Sequence, residues 1–215
     1  AAFTVGSLGI PLRITEIMYN PPGGSLYEFL ELQNIGATPV DLSGMYFDGI
    51  TFLFNAGSML PGGARLVLGN NTDTNAWKAF YPGVPVFGWY SGNLNNGGER
   101  ITLYDRFGNI VTSVDYRDSG GWPAAADGGG NSLEILDPNG NPDEPANWQA
   151  STVPNGTPGA VNSSPPAQWV QLNEVMAANG GVVNHAGAFP DWIELRNLSA
   201  SPVNLAGWSL TDDGN

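Results

Sequence analysis

The sequence predicts an all-β protein: one antiparallel β-sandwich followed by a partial second repeat of the same module. Three observations carry this. The stretch Tyr27 to Phe47 returns as Pro190 to Leu210, and internal repetition decides architecture before any local reading. Both copies hold Glu-Leu-x-Asn (Glu31 to Asn34, Glu194 to Asn197), then Pro-Val and Leu-x-Gly (Pro39, Val40, Leu42, Gly44; Pro202, Val203, Leu205, Gly207). Thirty Gly and seventeen Pro are interleaved with short apolar runs, the composition of a chain with many turns. Those runs alternate with period two, as half-buried strands do.

The elements follow in order. Ala1 to Gly9 lacks the basic start and long apolar run of a signal peptide. Leu12 to Tyr19 is the first strand. Strict alternation puts Leu12, Ile14, Glu16 and Met18 on one face, and Val170, Leu172, Glu174 and Met176 line up identically in the second copy. Glu28 to Asn34 is the second strand, with Leu30 and Leu32 inward and Phe29 and Glu31 on the other side; Ile193, Leu195, Trp192 and Glu194 are their counterparts. Short strands are expected at Val40 to Leu42 and Met45 to Phe47, with Ile50 to Phe54 a continuation and Ala64 to Leu68 another strand. Asn71-Thr72-Asp73 supplies caps for a helix over 74–80, which Pro82 to Pro85 ends. Asp105 to Asn109 is a turn joining Glu99 to Tyr104 with Ile110 to Tyr116. Ser132 to Leu136 is a last short strand, and Asp137 to Pro166 is expected to wrap the surface without regular pairing. The domain reading is therefore an N-terminal segment 1–10, a sandwich 11–162, a linker 163–167 and an incomplete repeat 168–215.

Charge and composition exclude several functions. Seven Lys plus Arg stand against twenty Asp plus Glu, a net charge of −13. Such a surface repels phosphate backbones, so nucleic acid is not an expected partner. No run approaches the ~18 apolar residues of a membrane span. With no Cys, disulfides, thiol nucleophiles and Cys-based zinc sites are out. His185 is the sole histidine, in a loop, and no Gly-x-Ser-x-Gly surrounds any serine.

Four polar residues draw attention because they repeat. Glu16 and Glu174 stand in phase with an apolar strand face, where a carboxylate needs hydrogen-bond partners. Backbone N–H groups or the side chains of Asn34 and Asn197 are the expected partners. Glu16 with Glu31 has the chemistry of a glycosidase pair, but period two places them on opposite sides of a sheet. On the side away from the core, Phe29 and Glu31, with Trp192 and Glu194, form a candidate partner contact. Asp137, Asn139, Asn141 and Asp143 alternate as candidate calcium ligands, although Pro142 stands where an EF-hand loop has glycine. Asx-turns are the simpler account of that stretch. No other cofactor is expected. Seven Trp could include a sugar-stacking platform; core and edge packing accounts for most of them.

The ordered motifs resemble those of the lamin-tail domain in its bacterial extracellular form. They are Ile-x-Glu-Ile-Met at Ile14 to Met18, Glu28 to Asn34, Val40 to Gly44, and the hairpin at Asn96 to Gly108. Then come Trp122-Pro123, Asn131 to Glu134, Asn147-Trp148 and Gly156 to Asn162. The resemblance covers about 11–162 and the start of a second copy from 168. It implies an immunoglobulin-like fold, no catalytic residues, and a place in secreted or cell-surface proteins. The expected function is adhesion, spacing or targeting, with a protein or polysaccharide at the cell surface as partner. A carbohydrate-binding module delivering an appended hydrolase is the competing class.

Overall fold

The computed structural model describes residues 9–163, 170–181, 184–198, 203, 205 and 210. The chain divides into two units, 1–164 and 165–215.

In the first unit the strands are β1 (Leu12–Met18), β2 (Phe29–Asn34), β3 (Val40–Asp41), β4 (Tyr46–Asp48), β5 (Met59–Leu60), β6 (Arg65–Asn70), β7 (Val86–Tyr90), β8 (Gly98–Tyr104), β9 (Ile110–Arg117), β10 (Leu133–Ile135) and β11 (Trp148–Ala150). One helix, α1 (Thr74–Phe80), interrupts them. A six-stranded sheet runs β11-β10-β1-β2-β6-β7; a three-stranded sheet runs β4-β8-β9; β3 and β5 form a short ribbon. Leu30, Leu32, Leu66 and Leu68 of the large sheet and Phe47, Ile101, Leu103 and Val111 of the small one belong to a single buried core, with Leu42. This is the immunoglobulin-like sandwich, built by alternation on both sheets.

Local chemistry explains the best-defined elements. Asp73 caps α1, its carboxylate accepting from the N–H groups of Asn75 and Ala76 at 3.1 and 3.0 Å. Asp105 organises the β8–β9 turn. Its Oδ2 accepts from Asn109 Nδ2 at 2.9 Å and its Oδ1 from Phe107 and Asn109 N–H, both at 2.8 Å; the Asn109 side chain first, then the N–H groups, hold its carboxyl below the usual range.

Three expectations need correction. First, β7 pairs with β6 in parallel, an exception in an otherwise antiparallel sandwich. Parallel neighbours need a crossover, and α1 lies in the connection that makes it. Second, the stretch after Asp137 is not wholly unpaired, because β11 pairs with β10. Third, β1 does not keep strict alternation. Its register against β2 runs Ile14↔Leu32, then Glu16↔Glu31, with Thr15 bulged between. An extra residue reverses the phase beyond it. Leu12 and Ile14 therefore share the core with Ile17 and Tyr19. Met18 lies on the other face with Phe29, Val67, Trp77 and Tyr81, and cross-strand pairing puts Glu16 on that face with Glu31.

In the second unit, β12 (Val170–Met176) pairs with β13 (Trp192–Asn197). The register is the same step for step: Leu172↔Leu195, then Glu174↔Glu194, with Asn173 bulged where Thr15 is. Pro202, Gly207, Trp169, Trp208 and the linker residues 164–167 lie outside the described residues.

Candidate functional site

The bulge assembles a row of carboxyls. Glu134 of β10 pairs with Glu16 of β1, and Glu16 pairs with Glu31 of β2. Gln149 of β11 and Val67 of β6 extend the row at either end. Directly paired residues stand on one face of a sheet. Glu16, Glu31 and Glu134 are each wholly buried. This overturns the separation that strict alternation gave Glu16 and Glu31: they are neighbours.

What covers the row is the segment Gly156 to Ser163, the strap. Thr157 N–H donates to Glu16 Oε1 at 2.7 Å. Gly159 N–H donates to Glu31 Oε2 at 2.8 Å. Ser163 donates to Glu134 Oε2 through its N–H at 3.0 Å and its hydroxyl at 2.5 Å. Thr157 Oγ1 stands between two carboxyls, 2.7 Å from Glu134 Oε1 and 3.2 Å from Glu16 Oε2. Asn162 Nδ2 donates to the carbonyls of Thr15 and Ile135 at 3.1 and 3.0 Å, closing the bulge. Gly156 must be glycine. Its φ is +81°, and a Cβ there would lie 2.3 Å from Glu16 Oε1.

The sheet supplies the remaining donors. Ser132 Oγ reaches Glu16 Oε1 at 2.5 Å, Thr15 Oγ1 reaches Glu31 Oε1 at 2.6 Å, and Gln149 Nε2 reaches Glu134 Oε2 at 3.0 Å. Arg65 Nε forms the single ion pair of the row, 3.2 Å from Glu31. Burial, then the charge of Glu31, pushes Glu16 up to about 8 against the pull of Ser132 and Thr157. Burial pushes Glu31 up to about 7, opposed by Thr15, Gly159 and Arg65.

Glu28 is a further buried carboxyl, outside the row and unforeseen in the sequence. Its Oε2 accepts from Leu94 N–H at 2.9 Å and from Asn70 Nδ2 and Tyr90 Oη, both at 3.2 Å. Burial raises it to about 7. Its only sequence signal is an acid at a strand entrance, which surfaces share.

The other expected site residues fall as follows. Asn34 does not meet Glu16. Its Nδ2 donates to the carbonyls of Thr38, Leu60 and Pro61 and its Oδ1 accepts from Gly36, pinning the end of β2 to the following loop and β5. Phe29 and Glu31 cannot be a partner contact, because both are wholly buried. Phe29 lies under α1, edge-on to Tyr81 at 5.5 Å, and Glu31 lies under the strap. In the second unit Trp192 is half-buried, while Glu174, Glu194 and Asn197 are exposed. Asn173 Nδ2 donates to Glu194 Oε1, as Thr15 does to Glu31. His185 faces Ala188 across a small exposed loop.

Of the candidate calcium ligands, Asp137, Asn141 and Asp143 accept from protein donors. Asp137 accepts from Asn139 N–H at 2.9 Å and Asn141 from Asp143 N–H at 3.1 Å, both Asx-turns. Asp143 takes Asp115 N–H at 2.8 Å and pairs with Arg100 at 3.3 Å. Among the described residues no His, Cys, Asp and Glu cluster suited to a metal forms, and no helix is long and apolar enough to cross a membrane.

A sandwich of two sheets closed on one apolar core belongs with the immunoglobulin-like domains. The sequence matches the lamin tail domain family over residues 9–118, and the chain belongs to that family, one of non-catalytic immunoglobulin-like domains. The matched stretch ends before β10, yet β10, β11 and the strap complete the same sheet and cover it. Among curated proteins, none matches the sequence.

Proposed function

We propose that this chain is a non-catalytic module of a secreted or cell-surface bacterial multidomain protein, serving adhesion, spacing or targeting. The observation that carries this reading is the recurrence of β1–β2 as β12–β13, bulge included. A chain that repeats a sandwich element after a Ser-Ser-Pro-Pro linker reads as modules strung in series. The acidic balance suits a solvated exterior. Among the described residues the constellation with hydrolytic potential, Glu16 beside Glu31, is wholly buried under the strap and shut from solvent.

The test is to incubate the full chain with bacterial envelope fractions and with panels of glycoside, ester and phosphodiester substrates. Saturable envelope binding without turnover is expected. Hydrolysis that disappears in Glu31→Gln would overturn the reading. Carbohydrate targeting has less support, since no described tryptophan is exposed: Trp77, Trp122 and Trp148 are buried, and Trp89 and Trp192 half-buried. Glycan-array binding lost on Trp89→Ala or Trp192→Ala would reinstate it.

A further inference from the structure

The strap is the last described segment before the second unit, and polar contacts hold it down: Val161 within it is 75% exposed. Those contacts can be counted in hydrogens. Glu16 Oε1 accepts from Ser132 Oγ and Thr157 N–H. Glu16 Oε2 faces Thr157 Oγ1, which is also 2.7 Å from Glu134 Oε1. A threonine hydroxyl has one hydrogen. If it serves Glu134, at the shorter contact, it offers Glu16 only lone pairs, so Glu16 Oε2 must bring a hydrogen of its own. Both neighbours are better supplied with donors than Glu16 Oε2, whose one contact is Thr157 Oγ1. Glu31 accepts on both oxygens, from Thr15 and Gly159, beside Arg65. Glu134 accepts on both, from Thr157 on one and from Gln149 and Ser163 on the other.

We infer that a proton on Glu16 Oε2 is a structural component of the first unit: Glu16 donates to Thr157, Thr157 donates to Glu134, and this relay latches the strap Gly156 to Ser163, which loss of the proton releases. The titratable groups facing Glu16 are Glu31 from β2, Glu134 from β10 and Tyr81 from the end of α1, with Arg65 of β6 beyond Glu31. The strap and β11 contribute no ionisable group to the row. With Glu16 ionised, three carboxylates would face one guanidinium away from water. Opening the strap hydrates the row, so the closed form holds the proton more tightly and rising pH favours the open form.

The test is amide exchange of 156–163 in the full chain from pH 6 to 9.5, corrected for intrinsic rates, together with a carbon-13 titration of the Glu16 carboxyl. Glu16 should titrate near 8. Strap protection should then fall about ten-fold per pH unit from pH 6 up to that point and level off above it, while protection of β8 and β9 holds. Glu16→Gln presents an amide N–H where Oε2–H stood and accepts at Oε1, so it should keep the strap protected to pH 9.5. Three results would overturn the inference: titration of Glu16 below about 5, near the free carboxyl value; flat strap protection across the range; or release in Glu16→Gln at the pH seen for the unaltered chain. Should Glu16→Gln fail to fold, the two measurements on the unaltered chain decide.

Discussion

A buried carboxyl is tolerable only when its oxygens are matched by donors or by its own proton, and this module holds four that are no more than 1% exposed: Glu16, Glu28, Glu31 and Glu134. Glu28 shows what one contributes, because Leu94 N–H, Asn70 and Tyr90 all converge on its Oε2. Glu28→Ala should cost about 1–3 kcal/mol in urea unfolding by orphaning those donors; a change too small to measure would mean that water replaces the carboxylate. Linkage supplies a second prediction. Glu16, Glu28 and Glu31 are raised from 4.5 to about 8, 7 and 7. Between those limits the folded state binds more protons than the unfolded state. Their contribution is thus fully present below 4.5 and fades as pH climbs through 7 to 8. The urea midpoint should be higher at pH 5.5 than at pH 8.5. A midpoint that rises across that window would contradict the burial of these groups.

At the scale of elements, β1 and the strap depend on each other. The bulge at Thr15 turns Glu16 to the outer face, and the strap supplies the donors that make that face habitable. Gly156 is the tightest point of contact. Gly156→Ala forces an L residue into left-handed backbone, at about 1–2 kcal/mol, and sets a methyl against Glu16 and Ser132. The expected outcome is loss of amide protection across 156–163 and a lower melting temperature; an unchanged exchange pattern would show that the strap tolerates displacement. Helix α1 matters differently. It covers Phe29 with Trp77 and Tyr81, and Trp77 Nε1 donates to the Glu28 carbonyl at 3.0 Å. Asp73→Ala should remove about 1 kcal/mol of stability through the lost cap, readable as a shifted urea midpoint with little change in slope.

At the scale of the molecule, the two units differ in how far they bury themselves. The first has a closed core between two sheets. The second exposes Leu172, Val175, Ile193 and Leu195, counterparts of core residues in β1 and β2, and an isolated pair of strands is marginal in water. Deleting 165–215 should therefore leave the melting temperature of the first unit unchanged. In the full chain, amides of β12 and β13 should exchange far faster than those of β8 and β9. Equal protection in both would show that the second unit is stabilised in a way its exposed leucines do not suggest.

The amino-acid sequence by itself determined the sandwich, the leucine core, the capped helix over 74–80 and the turn at Asp105. Each rests on neighbours within a few residues: alternation, an Asp cap, an Asx-turn. Repetition of Glu16 and Glu31 as Glu174 and Glu194 was legible too, and a glutamate in phase with an apolar face was the trace of a bulge. Where those carboxyls point was not legible. The bulge is fixed by which residue of β1 faces which residue of β2, and the cover comes from residues 128 and 141 positions away in the chain. Only the tertiary structure, by bringing Thr157 and Gly159 over the sheet, turned an expected outer contact at Phe29 and Glu31 into buried structure. A period of two describes one strand, whereas burial depends on whatever distant segment packs over it.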